Sequence, residues 1–241
     1  IFTGHKLKPS EITLSDMANY MSSGQQLAIS YQTGAIGIFD GMNFGRLAGA
    51  SVFYHPHTHR GSIRDMEQFR RESPRAAHML DLINSGVIAD GFEVMERYME
   101  KIRQEHPELV IAENPSMLVY APFAPLVPDH VEVIFKDDGY GGNVVNYPPE
   151  ILRMLGASTT GIIHGLYKER GVTSFNYVVH QATFSDGPNG FPIQVSILPA
   201  DRRIDGFLER MGIGSVVDNP SVTAKAVKKH FEKKLVLNHQ P

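Results

Sequence analysis

Apolar positions change period several times along the first half of the chain. From Pro9-Ser10 through Met21, the residues Leu14, Met17 and Met21 recur at helical spacing, and Ser22-Ser23-Gly24 reads as the stop. Leu27 to Ser30 and Ala35 to Phe39 are short apolar runs around Gln32-Thr33-Gly34, which predicts two strands. A glycine-rich turn comes next, then a strand of alternating histidines. Residues 62–84 and 91–105 carry apolar stripes among mixed charges and predict helices. The first of these bends near Ser73-Pro74, because proline lacks the N–H that the preceding turn would use.

In the second half, Leu109 to Ala112 and Met117 to Tyr120 predict a hairpin, and His130 to Phe135 a further strand. Asp137 to Gly142 is a turn with two adjacent glycines. Pro148-Pro149 opens a long helix reaching about Arg170, since proline is favoured at a helix start. Ser174 to Gln181 and Pro192 to Leu198 predict strands, and Ser221 to Lys234 a terminal amphipathic helix. Strands and helices mix without strict alternation. The expected class is α+β, with a largely antiparallel sheet and flanking helices.

Composition narrows the function. The chain has 241 residues, a net charge of −3 and no cysteine. Disulfides and thiolate metal sites are excluded. No basic stripe interleaved with aromatics points to nucleic acid. No apolar run approaches the roughly 18 residues of a membrane span, and Ile1 to Pro9 lacks a signal-peptide pattern. A cytoplasmic location is expected.

The chemistry concentrates in His55-Pro56-His57-Thr58-His59. Residues two apart on a strand share a face, so all three imidazoles are expected to line one surface. Neutral imidazole is a good nucleophile near neutral pH, and a neighbouring ring can fix its tautomer or protonate a leaving group. Alternating histidines on a strand also build metal sites, and a satisfied or exposed cluster without function is the third reading. Just before the histidines, Asn43-Phe44-Gly45-Arg46-Leu47-Ala48-Gly49-Ala50-Ser51 spells N-x-G-x-x-x-G-x-S. Glycines let backbone amides approach an anion, and Asn43 and Ser51 add side-chain donors. Alone this is an ordinary turn; beside the histidines it reads as a phosphate cradle.

These two motifs resemble the galactose-1-phosphate uridylyltransferase branch of the histidine-triad superfamily, in which such a glycine stretch precedes His-Pro-His-x-Gln. The similarity continues through Ala112-Glu113-Asn114-Pro115 and Val119 to Pro125, through Phe175 to Ala182, and through Leu198-Pro199, Arg202-Arg203, Gly206-Phe207 and Gly212-Ile213-Gly214. The resemblance implies a histidine-triad-like fold of two tandem halves, 1–106 with the histidine motif and 107–241, the first shortened. It implies that His57 takes a nucleoside monophosphate from a nucleoside diphosphate sugar and passes it to a phosphate-bearing acceptor. His55 and His59 would support the catalytic site. Asn43, Gly45, Gly49, Ser51, Asn114, His180 and Gln181 would contact substrate. It also implies a homodimer.

The departures matter. One extra residue separates Ser51 from His55, and His59 stands where the transferases have Gln. Hydrolases of the superfamily have His there, so water is an alternative acceptor. Pro192 and Gln194 occupy the place of a late His-x-His pair, so neither a metal nor another cofactor is expected, and a non-catalytic nucleotide-binding homologue is a further alternative.

Overall fold

The computed structural model describes residues 8–48, 57–136, 139–186, 190–201 and 219–235. Its seven strands are β1 (Gly37–Phe44), β2 (His57–Ile63), β3 (Val110–Asn114), β4 (Met117–Tyr120), β5 (Val131–Phe135), β6 (Phe175–His180) and β7 (Gln194–Pro199). They form one sheet in the order β2-β1-β6-β7-β5-β4-β3, and every neighbouring pair is antiparallel. The class is α+β, as the mixed pattern predicts. The sheet runs unbroken across position 106, because β1 pairs with β6.

The helices are α1 (Leu14–Tyr31), α2 (Met66–Glu72), α3 (Pro74–Asn84), α4 (Gly91–Glu105), α5 (Pro149–Arg170) and α6 (Pro220–Leu235). No helix among the described residues is long and apolar enough to cross a membrane. Alternation along the strands sorts side chains between two faces. Met42, Phe44, Tyr177, Val195, Ile197 and Val133 turn to one face and are buried under α1, α5 and α6 in the largest core. The other face is covered unevenly. Helices α2 and α3 pack Phe69, Ala77 and Leu80 near Phe39 and Ile63. Helix α4 sets Met95, Met99 and Ile102 on Leu118, Tyr120 and Ile134. Between those coverings the sheet is open, and that gap is where the histidines point.

Both ends of α1 differ from expectation. Leu27 to Ser30 is not a strand; α1 continues through it to Tyr31. Gly24, a stop by local pattern, lies inside α1 at a point of close approach. A Cβ at Gly24 would lie 2.8 Å from Asp40 Oδ2 and 2.9 Å from Arg60 Nη2. Tertiary packing therefore outweighs the weak helix propensity of glycine. The start differs too: Pro9–Glu11 is a separate 3-10 turn, and α1 begins at Leu14, capped by Thr13, whose hydroxyl accepts from the Asp16 amide. The bend at Ser73-Pro74 is real and separates α2 from α3.

Candidate active site

The site is built on the edge of the sheet. His57 opens β2 directly opposite Asn43 of β1, and His59 stands opposite Gly41. A Cβ at Gly41 would lie 3.1 Å from the Tyr177 carbonyl oxygen on β6. The two imidazoles share a face with their centroids 4.8 Å apart and meet edge to face. Asn43 reaches diagonally along the strand, its Nδ2 lying 3.2 Å from His59 Nε2. An amide donor there makes Nε2 the acceptor and leaves the His59 proton on Nδ1. His59 is exposed and His57 half-buried.

Beyond Asn43 the chain turns at Gly45, whose φ of +82° suits glycine, and runs through a short 3-10 turn, Arg46–Ala48. A Cβ at Gly45 would collide with Ser174 at the start of β6. Packing alone therefore requires this glycine. Gly49, Ser51 and His55 lie outside the described residues.

A cleft of about 430 Å³ opens beside these groups. Gly41, Asn43 and His59 line one side, Asn176, Val178 and Leu198 form the floor, and Glu72 and Ser73 of the α2–α3 junction stand across it. His57 is not among the residues that line the cleft; its ring lies against that of His59, which is.

The histidine strand is anchored from behind. Arg60 points to the opposite face, where its Nε donates to Asp40 Oδ1 at 2.7 Å. Its other nitrogens donate to Ser23 Oγ and the Tyr20 carbonyl, and the guanidinium lies 3.9 Å above the Tyr20 ring. Tyr20 donates its hydroxyl to the same Asp40 oxygen. Burial pushes the Asp40 carboxyl above its usual range, with Arg60 and the Tyr20 hydroxyl opposing.

The remaining predicted residues do not reach the cleft. Asn114 belongs to β3, at the far edge of the sheet from β2. Its Oδ1 accepts from the Ser116 and Met117 amides and so closes the hairpin turn. Gln181 is buried, its Oε1 accepting from the Val144 amide. His180 ends β6 with Nε2 3.1 Å from Ser196 Oγ, in a different polar cluster.

That cluster was not foreseen. Arg75 of α3 reaches down to Glu132 of β5 in a two-pronged pair, with Nη2 to Oε2 at 3.2 Å. Tyr120 donates its hydroxyl to Glu132, and Ser196 Oγ lies 3.4 Å from Oε1. His130 Nε2 is 3.3 Å from the same oxygen. Burial alone would raise the Glu132 carboxyl, but Arg75 holds it down to about 2. Burial lowers His130 and His180 to about 4 each, so both are neutral near pH 7. The signal in the sequence was Glu132, a lone charge inside the apolar strand Val131–Phe135. Its partner, 57 residues away, was not legible.

Comparison with known proteins bears on the fold. No family model matches the sequence, and no curated protein matches it either. Solved structures do. A uridylyltransferase mutant superposes with a TM-score of 0.73 at 14% identity, covering 95% of this chain and 74% of that one. An ADP-glucose phosphorylase from Arabidopsis thaliana, solved with bound ADP-glucose, gives 0.67 at 17% identity, covering 94% and 70%. A GalT-like protein from the same plant gives 0.67 at 17%, covering 94% and 72%. The chain therefore has the fold these proteins share.

Proposed function

We propose that the chain is a nucleotidyltransferase or phosphorylase acting on a nucleoside diphosphate sugar through His57. The supporting observation is that His57 and His59 stand on one face, with Asn43 against His59, and that Asn43 and His59 line an open cleft on that face. In this reading a neutral imidazole nitrogen of His57 attacks the α-phosphorus. The bond from that phosphorus to the bridging oxygen breaks, and sugar 1-phosphate leaves with the electron pair. A phosphate oxygen of the acceptor then attacks the nucleotidyl-histidine, and His57 departs neutral. Asn43 offers an amide donor to the phosphate, and His59 a ring to orient it. By the resemblance, Gly49, Ser51 and His55 would complete the cradle.

A second reading keeps the first step and makes water the acceptor. The resemblance favours it, because hydrolases of the superfamily carry His where His59 stands. The rest of the proposal follows the resemblance: two histidine-triad-like halves meeting near position 106, a homodimer, and a cytoplasmic setting. Intact-mass measurement after incubation with a panel of nucleoside diphosphate sugars and dinucleotides tests the proposal. Gain of one nucleotidyl group supports it and names the donor. No adduct and no turnover with any member of the panel overturns it.

A further inference from the structure

The wall of the cleft opposite the histidines has chemistry of its own. Ser73 is only 7% exposed, yet its hydroxyl makes no hydrogen bond among the described residues. It precedes Pro74 at the start of α3 without capping that helix, and the residue lines the cleft. Asn176, on the floor, likewise makes no side-chain hydrogen bond, and its Oδ1 is buried without a partner. Buried polar atoms are normally paired, so the orphaned Asn176 Oδ1, in the same cleft as an unpaired and accessible Ser73 hydroxyl, marks a place where a ligand supplies partners. Glu72 adds a carboxylate, in 3.4 Å contact with Arg71.

The ligand can be specified by exclusion. A phosphate oxygen only accepts hydrogen bonds near neutral pH, and the Glu72 charge repels it. A purely apolar group leaves Ser73 and Asn176 unpaired, which is unfavourable. A hydroxyl can donate to Glu72 and both donate to and accept from Ser73 and the Asn176 amide. Val178 and Leu198 between them offer an apolar strip suited to the C–H face of a ring. We infer that Glu72, Ser73 and Asn176 form a subsite for the hydroxyl groups of a neutral sugar, facing the phosphate-handling residues across the cleft.

The junction is stiff enough to select. Arg75, two residues after Ser73, is pinned to Glu132 in the sheet, and Ser73 itself is buried against the α2–α3 core. The inference rests on the nucleotide-sugar reading above and adds which residues read the sugar. It assigns them a role in specificity and none in bond breaking.

The test is calorimetric binding of UDP-glucose against UDP, and of ADP-glucose against ADP, to the parent chain, Ser73→Ala and Glu72→Gln. Ser73 makes no capping bond and Glu72 is exposed, so both variants should keep the parent thermal midpoint. Each variant should weaken the sugar-bearing ligand about five- to tenfold, the effect of one lost hydrogen bond. The matching diphosphate should bind as it does to the parent. Equal weakening of sugar and diphosphate, or no weakening of either, overturns the subsite while leaving the nucleotide reading in place. A parent chain that binds none of the four ligands overturns both.

Discussion

Asp40 and Arg60 face each other across the β1–β2 register, on the side of the sheet away from the histidines, and their side chains pair at 2.7 Å. Both are more than nine-tenths buried. Since Arg60 follows His59 directly, this pair fixes the edge strand that carries the histidines. Removing one partner of a buried pair leaves an uncompensated charge, at a cost of about 3–5 kcal/mol. Arg60→Met should therefore lower unfolding stability by about that amount in urea titrations. Replacing Asp40 by Asn as well should recover part of the loss. A change below about 1 kcal/mol in the single variant would mean that the pair does not anchor β2.

The second prediction concerns Arg75, which pins the cleft wall to Glu132. Arg75→Met should destabilise the fold by about 3–5 kcal/mol at pH 7, for the same reason. The loss should shrink at low pH, where protonation removes the Glu132 charge. A loss that is equal at pH 7 and pH 4 would argue against an unpaired carboxylate as its cause.

Stability should fall in acid in a defined window. His130 and His180 are held at about 4 in the folded state by burial, against an ordinary value of 6.5. Their folded values lie below the unfolded ones, so the unfolded chain binds more protons between pH 6.5 and 4, and stability declines as pH drops through that range. Each imidazole contributes on the order of 3 kcal/mol across the window. Glu132, at about 2 against 4.5, continues the decline below pH 4.5. His180→Asn should flatten the slope between pH 6.5 and 4 in denaturant titrations. An unchanged slope would show that His180 titrates normally.

Asn43 supplies the amide next to His59. If it also holds a phosphate oxygen in the transition state, Asn43→Ala should slow adduct formation by about 10²-fold, as loss of one such donor does. Stopped-flow or quenched-flow mass measurement reads this rate. A change in affinity alone, with the rate intact, would confine Asn43 to ground-state binding.

Much of this arrangement could be read from the chain, and the limits have physical causes. Period-two spacing placed His57 and His59 on one face, since that follows from strand geometry alone. The Ser73-Pro74 break was equally local. The second half of α1 was misread because Leu27 to Ser30 is a short apolar run, which fits a strand or a buried helix turn equally well. What holds Gly24 inside a helix is its contact with Asp40 and Arg60, brought there by a strand pairing that local pattern does not reveal. The same holds for Arg75 with Glu132, and for Ser73 facing Asn176. Asn114 and Gln181 drew attention as substrate contacts through a family resemblance, yet Asn114 serves its own hairpin and Gln181 a buried backbone amide.

The central claim is that His57 becomes covalently nucleotidylated while His59 steers the acceptor. The most direct measurement is intact mass of the parent chain, His57→Asn and His59→Gln after incubation with UDP-glucose and with ADP-glucose. Asparagine keeps a polar group but cannot attack phosphorus. The account predicts one added nucleotidyl group on the parent and on His59→Gln, and none on His57→Asn. A His57→Asn protein that still gains the group, or that turns over substrate near the parent rate, would contradict it.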